Sequence, residues 1–554
     1  MSSDFSKKLV LDDRLMVTDS VGYGVIKGGS QVTSAQFKAI SESNSSVTFN
    51  VQVPSEQTLI DRRVLWRADV VVTVTGSPPA GQYLIAYGNN SALAPFPLHQ
   101  LCSVMSSTIN NNTVSSNMLD ILPALLRCND QRELQAYNGT TPTMFDTVAN
   151  YADAVGASNN PLSSYINAND NDLLPRGAFD VVLGGNYATV GDGTARTCTI
   201  SFTAAEPLLL SPWIWADPKS NAQALYGVQN LNYQFNLTNS ASRIFRSANV
   251  GGAAGQNITG VALTSITNNT LLFNFLTPPP SLLMPARNVV PYYEWPRYIT
   301  PKTVAAGTGK VVIASALQLN QIPDKLILMV RKAQSTQTFT DPDFVLPITG
   351  VNIQFNNSSG ILSSATQQDL YRYSRDAGSN QSFVEFSGRA NKWVTPSTNT
   401  RMLTSGSFCM LEFGKAIQIS DDYYSAGSLG NFNLQVTLTV DNNTGADFSG
   451  EIVIITQNSG VFVCERGSSS TYTGILTKED VLDASGQEPI SHNSVKRLVG
   501  GGFLDSLKSI VGKVAPIAKI GLALAPHPAA KAASAALGAL GYGKSGGKKH
   551  NKLM

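Results

Sequence analysis

Charge is scarce in this sequence. Asp, Glu, Lys and Arg make up 14% of its 554 residues, against roughly 25% in ordinary soluble domains. Ser, Thr, Asn and Gln supply the polarity instead, and a surface of that kind repels its own copies weakly. Histidine is rarer still. His99, His492, His527 and His550 show no HxxxH spacing and no triad-like neighbours, so packing or surface roles are expected rather than metal ligation or general-base work. The five cysteines, Cys102, Cys128, Cys198, Cys409 and Cys464, are odd in number, scattered, and never in CxxC spacing. Neither a zinc site nor a disulfide framework is indicated, and reduced thiols of an intracellular protein are expected. No uninterrupted apolar run reaches about 18 residues, so no membrane-spanning helix is expected. The first residues, Met1 to Lys8, lack the apolar core of a signal peptide; sequons such as Asn44-Ser-Ser are therefore expected to stay unused.

Catalytic constellations are equally thin. Gly538-Ala-Leu-Gly-Tyr-Gly543-Lys544-Ser545 matches the letters of a phosphate-binding loop. That loop needs a strand before it and a helix after it; here an alanine-rich stretch precedes and nine residues follow, so we read a basic terminus. Asn167–Asp172 has the composition of a calcium loop without its central Gly or its bidentate Glu. Asp341 and Asp343, like Asp421 and Asp422, read as turn acids rather than as a glycosidase pair. The tryptophans, Trp66, Trp213, Trp215, Trp295 and Trp393, are expected to fill cores and interfaces rather than to form a sugar platform. No cofactor or metal is expected, and no enzymatic activity.

What is abundant is strand pattern. Val47, Phe49, Val51 and Val53 alternate with polar residues, as do Val70, Val72 and Val74, and Leu231, Tyr233, Phe235 and Leu237. Val311–Ile313, Leu326–Val330 and Val351-Ile353-Phe355 follow, then the clear run Phe432, Leu434, Val436, Leu438, Val440, and finally Ile452–Ile455. Gly, Pro, Asn and Ser clusters separate these runs, as in antiparallel all-β proteins. They fall into two groups, 45–276 and 309–457, and 554 residues exceed what one core holds. Two tandem β-sandwiches are expected. Pro278-Pro279-Pro280 and the stretch Val290–Thr300 between the groups read as an extended linker, because proline donates nothing to a ladder. The Asn-rich stretches 77–195 and 356–402 read as projecting loops.

Several strings then carry a resemblance. Tyr292-Tyr-Glu-Trp-Pro-Arg-Tyr-Ile-Thr300 is followed by Leu319-Asn-Gln-Ile-Pro-Asp-Lys-Leu-Ile-Leu-Met-Val-Arg331 and Ile353-Gln-Phe-Asn-Asn-Ser-Ser-Gly-Ile-Leu-Ser363. Next come Asp369-Leu-Tyr371, Leu411-Glu-Phe-Gly-Lys-Ala-Ile-Gln-Ile419 and Gly427-Ser-Leu-Gly-Asn-Phe432. Glu206–Pro212 and Phe96–Cys102 join them in the first half. In order and spacing the chain resembles double jelly-roll major capsid proteins of the virophage, polinton-like virus and adintovirus type, distant relatives of hexon. The resemblance implies a trimeric, pseudo-hexagonal capsomer that builds an icosahedral shell around a double-stranded DNA genome. It also implies penton and minor capsid proteins as partners, and a virion assembled inside the host cell. The expected division is an arm at 1–44, a first jelly roll with long loops at 45–289, a linker at 290–308 and a second jelly roll at 309–480. A linker with a cleavage site at 481–501 and a basic amphipathic tail at 502–554 complete it.

The tail differs from the body in its chemistry. From Gly502 onward stand eight lysines and one acid, Asp505, so the tail carries +7 and the body −5 of the net +2. At this boundary Leu498-Val-Gly500-Gly501-Gly502 resembles the sites cut by adenovirus-type maturation cysteine proteases, with cleavage after Gly501. Two glycines let an extended backbone pass a narrow active site. Beyond it Phe503, Leu507, Ile510, Val511, Val514 and Ile517 recur at helical spacing, opposite Lys508, Lys513 and Lys519. That is the pattern of a cationic helix lying in a bilayer interface, kinked at Pro516. Membrane disruption, contact with packaged DNA through the lysines and docking on a partner protein all remain open uses. A glycan-binding tandem-sandwich fibre or adhesin is the alternative for the whole chain, although no internal repeat is visible. A penton protein is a further one.

Overall fold

A computed structural model describes residues 31–477, apart from 88–90, 130–139, 143–144, 150–179, 214–223, 239, 249–256, 279–286, 396–397, 420–423 and 475. Two β-sandwiches follow one another. In the first, one sheet runs in the order Gln31–Lys38, Ile258–Thr277, Leu65–Gly76, Arg196–Pro207, Val182–Gly185. The facing sheet is Ser41–Glu42, Ser46–Gln52, Asn230–Leu237, Cys102–Ile109, Asn112–Ser116. All these pairings are antiparallel. In the second sandwich, Phe448–Glu465 is flanked by Arg287–Glu294, Arg297–Val304, Lys325–Lys332 and Ser468–Thr473, with Cys409–Glu412 beyond. Its other sheet centres on Ser428–Asn442, between Gly307–Ile313 with Leu317–Gln321 on one side and Ile348–Phe355 with Ser358–Ile361 on the other.

Alternation makes these sheets. Along Leu65–Gly76 every second side chain, Trp66, Ala68, Val70, Val72 and Val74, is buried, and it meets Phe49 and Phe235 of the facing sheet, Trp66 lying 4.7 Å from Phe235 between ring centres. Ser428–Asn442 does the same with Phe432, Leu434, Val436, Leu438 and Val440. Burying each such side chain contributes about 1.5–3 kcal/mol, and a one-residue register slip would turn the whole set to solvent.

Three expectations need correction. The stretch 290–308 is no linker: Arg287–Glu294 and Arg297–Val304 both pair with Phe448–Glu465 as part of the second sandwich. Pro291 and Pro301 sit there on outer strands, where the missing N–H removes no ladder bond. The arm at 1–44 already enters the first sandwich, through Gln31–Lys38 and Ser41–Glu42. The stretches 77–195 and 356–402 are not merely loops. The first supplies Cys102–Ile109 and Asn112–Ser116, whose pattern is hidden because a serine, Ser107, takes an inward position, and also the helix Met118–Cys128. The second holds the helices Gln367–Asp376 and Phe383–Phe386 and the hairpin Arg389–Thr395 with Thr398–Leu403.

Candidate assembly surfaces

Before a chain can present a surface for assembly, its two sandwiches must act as one body. The seam between them explains the apolar run Leu326–Val330. Leu326, Leu328 and Val330 point into the second sandwich, whereas Ile327 and Met329 join the core that continues from the first. Cys409 and Leu411 against Phe408 and Met410 split the same way, as do Ile452 and Ile454 against Val453 and Ile455. The strands Lys325–Lys332 and Cys409–Glu412 and the middle of Phe448–Glu465 are thus buried on both faces, so they read as continuous rather than alternating hydrophobic runs.

Charges pin this apolar seam. Asp120, on the helix Met118–Cys128, accepts from Arg331 Nη2 at 2.6 Å, from Gln334 Nε2 at 3.0 Å, and from Arg297 Nε. Arg331 also donates to Glu451 at 3.0 and 3.2 Å. Arg246 reaches Asp343 at 3.5 Å, and Asp343 N donates to Asp146 at 3.0 Å. Arg127, fully buried, donates Nη1 to Pro123 O and lies 4.2 Å from the Phe145 ring centre and 3.8 Å from that of Phe408. Burial pulls its guanidinium down to about 10. At a third point Asn110, in the left-handed region at φ 50°, turns its amide toward Gly227 O in its own sandwich and toward Glu465 O and Ser468 O in the other.

Inside the first sandwich the two strings Phe96–Cys102 and Glu206–Pro212 meet. Glu206 accepts from Leu98 N at 2.9 Å, His99 N at 3.0 Å and His99 Nδ1 at 2.6 Å. Leu209 N donates to His99 Nε2. The ring therefore carries its proton on Nδ1 and packs as a neutral imidazole among Trp66 and Phe96. A buried carboxylate with three donors is satisfied, and it ties the turn Pro97–Leu101 to Arg196–Pro207. His99 is a core histidine, as are Trp66, Trp213 and Trp295 core tryptophans.

The scarcity of charge appears on the outward sheet faces. On the first sandwich the outer residues of three paired strands are Ser46, Thr48, Asn50 and Gln52, then Asn230, Asn232, Gln234 and Asn236, then Val104, Ser106 and Thr108. None is charged. On the second sandwich, away from the seam, the corresponding face carries Val311 and Ile313, then Asn433, Gln435, Thr437 and Thr439, then Asn352 and Gln354. Val311 and Ile313 are 62% and 50% exposed. Two wide faces thus offer amides, hydroxyls and methyls with nothing to repel a neighbour.

Other expected sites fall elsewhere. Leu498, Gly500, Gly501 and Gly502 of the cleavage string lie outside the described residues, and so do Phe503, Leu507, Ile510, Val511, Val514 and Ile517 of the tail, the Gly538–Ser545 string and Asn167–Asp172. Asp341 pairs with Lys332 at 2.8 Å and Asp343 with Arg246, so these acids serve the fold. Among the described residues no group of three His, Cys, Asp or Glu is placed to hold a metal, and no helix is long and apolar enough to cross a membrane. The seam residues Asp120, Arg127 and Arg331 escaped sequence reasoning. Their signal was there: lone charges inside or at the end of apolar stretches, Met-Leu-Asp-Ile-Leu-Pro-Ala-Leu-Leu-Arg and Leu-Ile-Leu-Met-Val-Arg.

Comparison with known proteins fits this architecture. The Sputnik virophage major capsid protein first domain matches residues 3–276, and the C-terminal domain of major capsid protein V20 matches residues 295–460. The capsid protein V20 of Sputnik virophage is 31% identical over 98% of this chain and 95% of its own length. The cryo-electron microscopy structure of Sputnik virophage superposes with a TM-score of 0.74 at 29% identity, covering 88% of this chain and 97% of that one. The mavirus major capsid protein shares the fold, with a TM-score of 0.69 at 16% identity over 89% of this chain and 98% of its own. Two jelly rolls in tandem, matched end to end by sequence and by shape, place this chain in the virophage major capsid protein family, as a structural component of the virion and not an enzyme.

Proposed function

We propose that the chain self-assembles as trimeric, pseudo-hexagonal capsomers, through its two uncharged sheet faces, into an icosahedral shell around a double-stranded DNA genome. The observation that carries the reading is the distribution of charge. Buried ion pairs in the seam fasten one sandwich to the other, while no charged side chain stands on the outer faces of the paired strands centred on Asn230–Leu237 and Ser428–Asn442. Interface cores are depleted of charge in the same manner. Penton and minor capsid proteins complete the shell in this reading, and assembly takes place inside the host cell. The tail is cut after Gly501 by a maturation cysteine protease, and the Phe503–Ile517 face meets a membrane, with packaged DNA as the competing ligand of its lysines.

Charge insertion tests the assembly reading. Asn232→Asp with Gln234→Glu on one face, and Thr437→Asp with Thr439→Asp on the other, place like charges where copies meet without touching either core. Light scattering should show the assembled species shrinking toward single chains, most at low salt. If both double variants assemble like the parent, the uncharged faces are not the contacts.

A further inference from the structure

Two separate points of the seam grip the same long strand of the second sandwich, Phe448–Glu465. Near its start lies the cluster of Asp120, Arg331 and Glu451. At its end, the turn after Cys102–Ile109 meets the backbone of Glu465 and Ser468. Glu451 and Glu465 are 14 positions apart, which along an extended strand is roughly 45 Å.

Asn110 organises the second point. It is 2% exposed and sits in the short turn between Cys102–Ile109 and Asn112–Ser116, at a positive φ that asparagine tolerates better than most residues. Its Oδ1 accepts from Gln229 N at 2.8 Å and from Asn230 N at 3.3 Å, both in its own sandwich. Its Nδ2 faces Gly227 O at 3.1 Å there, and across the seam Glu465 O at 3.2 Å and Ser468 O at 3.1 Å. Ser469 Oγ adds a bond to Ile109 O at 2.6 Å. Gly467, at φ 73°, makes this approach possible, since a Cβ there would meet Gln229 Oε1 at 2.9 Å. A single tie leaves a body free to pivot about it. With about 45 Å between the ties, a slip of about 3 Å at the second turns one sandwich by roughly 4° about the first.

We infer that Asn110 is a positioning residue for assembly: by holding the second tie it sets the angle between the two sandwiches, and with it the outline of the unit that assembles. The consequence for assembly rests on the self-assembly proposed above, whereas the angle is a property of the single chain. Both halves of the amide are needed. The oxygen holds the turn 229–230 in register with Asn110, and the nitrogen carries that register across to Glu465 and Ser468. Asn110→Asp separates the two roles, because it keeps the acceptor and removes both N–H donors, setting a carboxylate against three carbonyl oxygens.

Distances between spin labels on the full chain test the inference. One label goes on each sandwich, at the exposed positions of Ala262→Cys and Thr308→Cys. Cys128→Ser removes the one native thiol that is not fully buried, and labelled chains are diluted into unlabelled ones so that each distance is read within one chain. The parent should give one narrow distribution. Asn110→Asp should shift or widen it by about 3 Å, the length of the hydrogen bonds lost, and Ser469→Ala, the milder change, should move it the same way by less. Val72→Ala, which opens a space in the first core far from the tie, should lower the urea midpoint and leave the distances alone. Electron microscopy of the same Asn110→Asp sample should show assembled particles less uniform in outline than the parent's. Unchanged distances in both tie variants overturn the inference, and so does an equal change in Val72→Ala, because any loss of stability would then act alike. A parent that never assembles ends the assembly reading instead, while the label distances still decide the angle.

Discussion

Removing the carboxylate of Asp120 measures what the seam is worth. Asp120 is 3% exposed and receives Arg331, Arg297 and Gln334 from the other sandwich. Breaking a buried ion pair by deleting one partner costs about 3–5 kcal/mol, because the other charge is stranded. Here the stranding is partial. Arg331 keeps Glu451, Gln334 keeps Leu119 O, and the Arg297 side chain is 35% exposed, so water reaches it. Asp120→Ala should therefore fall at the lower end, about 3 kcal/mol, which is roughly a 150-fold shift of the folding equilibrium. Urea unfolding followed by tryptophan fluorescence reads it, with unchanged m-value expected. Asp120→Leu combined with Arg331→Met should recover most of the loss, since apolar residues of similar volume replace buried ion pairs well. A cost below about 0.5 kcal/mol for Asp120→Ala would refute a dry, charge-pinned seam.

Other outcomes follow from the same contacts. Glu206→Ala leaves Leu98 N, His99 N and His99 Nδ1 without their acceptor, so the first sandwich should lose about 3 kcal/mol or more by urea unfolding; an unchanged midpoint would mean that the turn Pro97–Leu101 holds itself. Burial pushes the thiols of Cys409 and Cys464 up to about 12. Their folded pKa lies above the unfolded value, so the contribution is full below about pH 9 and is lost as pH climbs toward 12; Cys409→Ala should flatten that alkaline decline, and iodoacetamide at neutral pH should leave both thiols unlabelled in the folded chain. Mass spectrometry of mature particles should show a product ending at Gly501; an intact chain ending at Met554 removes the cleavage. A peptide of residues 502–542 should gain helix on anionic vesicles and release their dye, and Ile510→Asp with Val514→Asp should abolish both; a parent peptide that does neither ends the membrane role.

Much of the fold was legible because a half-buried strand advertises itself. Leu231–Leu237 and Phe432–Val440 alternate cleanly, and each lies in a strand with one face inward. Cys102–Ile109 was hidden because Ser107 and Cys102 take inward places that a hydrophobicity pattern leaves blank. Prolines misled at 290–308. The rule that proline breaks a ladder holds for central strands, and Pro291 and Pro301 stand on strands that pair with a neighbouring strand on one side only. The seam was invisible as a seam. An unbroken run such as Leu326–Val330 is equally compatible with a strand buried on both faces and with part of a buried helix, and only the partner surface, reached across some 200 residues from Asp120 to Arg331, decides. The uncharged outer faces were announced by composition alone. Which strands carry them required the register.

Self-assembly of a two-sandwich capsid subunit is tested most directly by the solution mass of the purified chain under reducing conditions, measured by light scattering across concentrations and followed by electron microscopy of the same sample. The proposal predicts a species of three chains, about 177 kDa for a 59.0 kDa subunit, with a six-lobed, pseudo-hexagonal outline, giving way to shells as concentration rises. A chain that stays at 59.0 kDa up to high concentration and shows single, unassociated particles would contradict it.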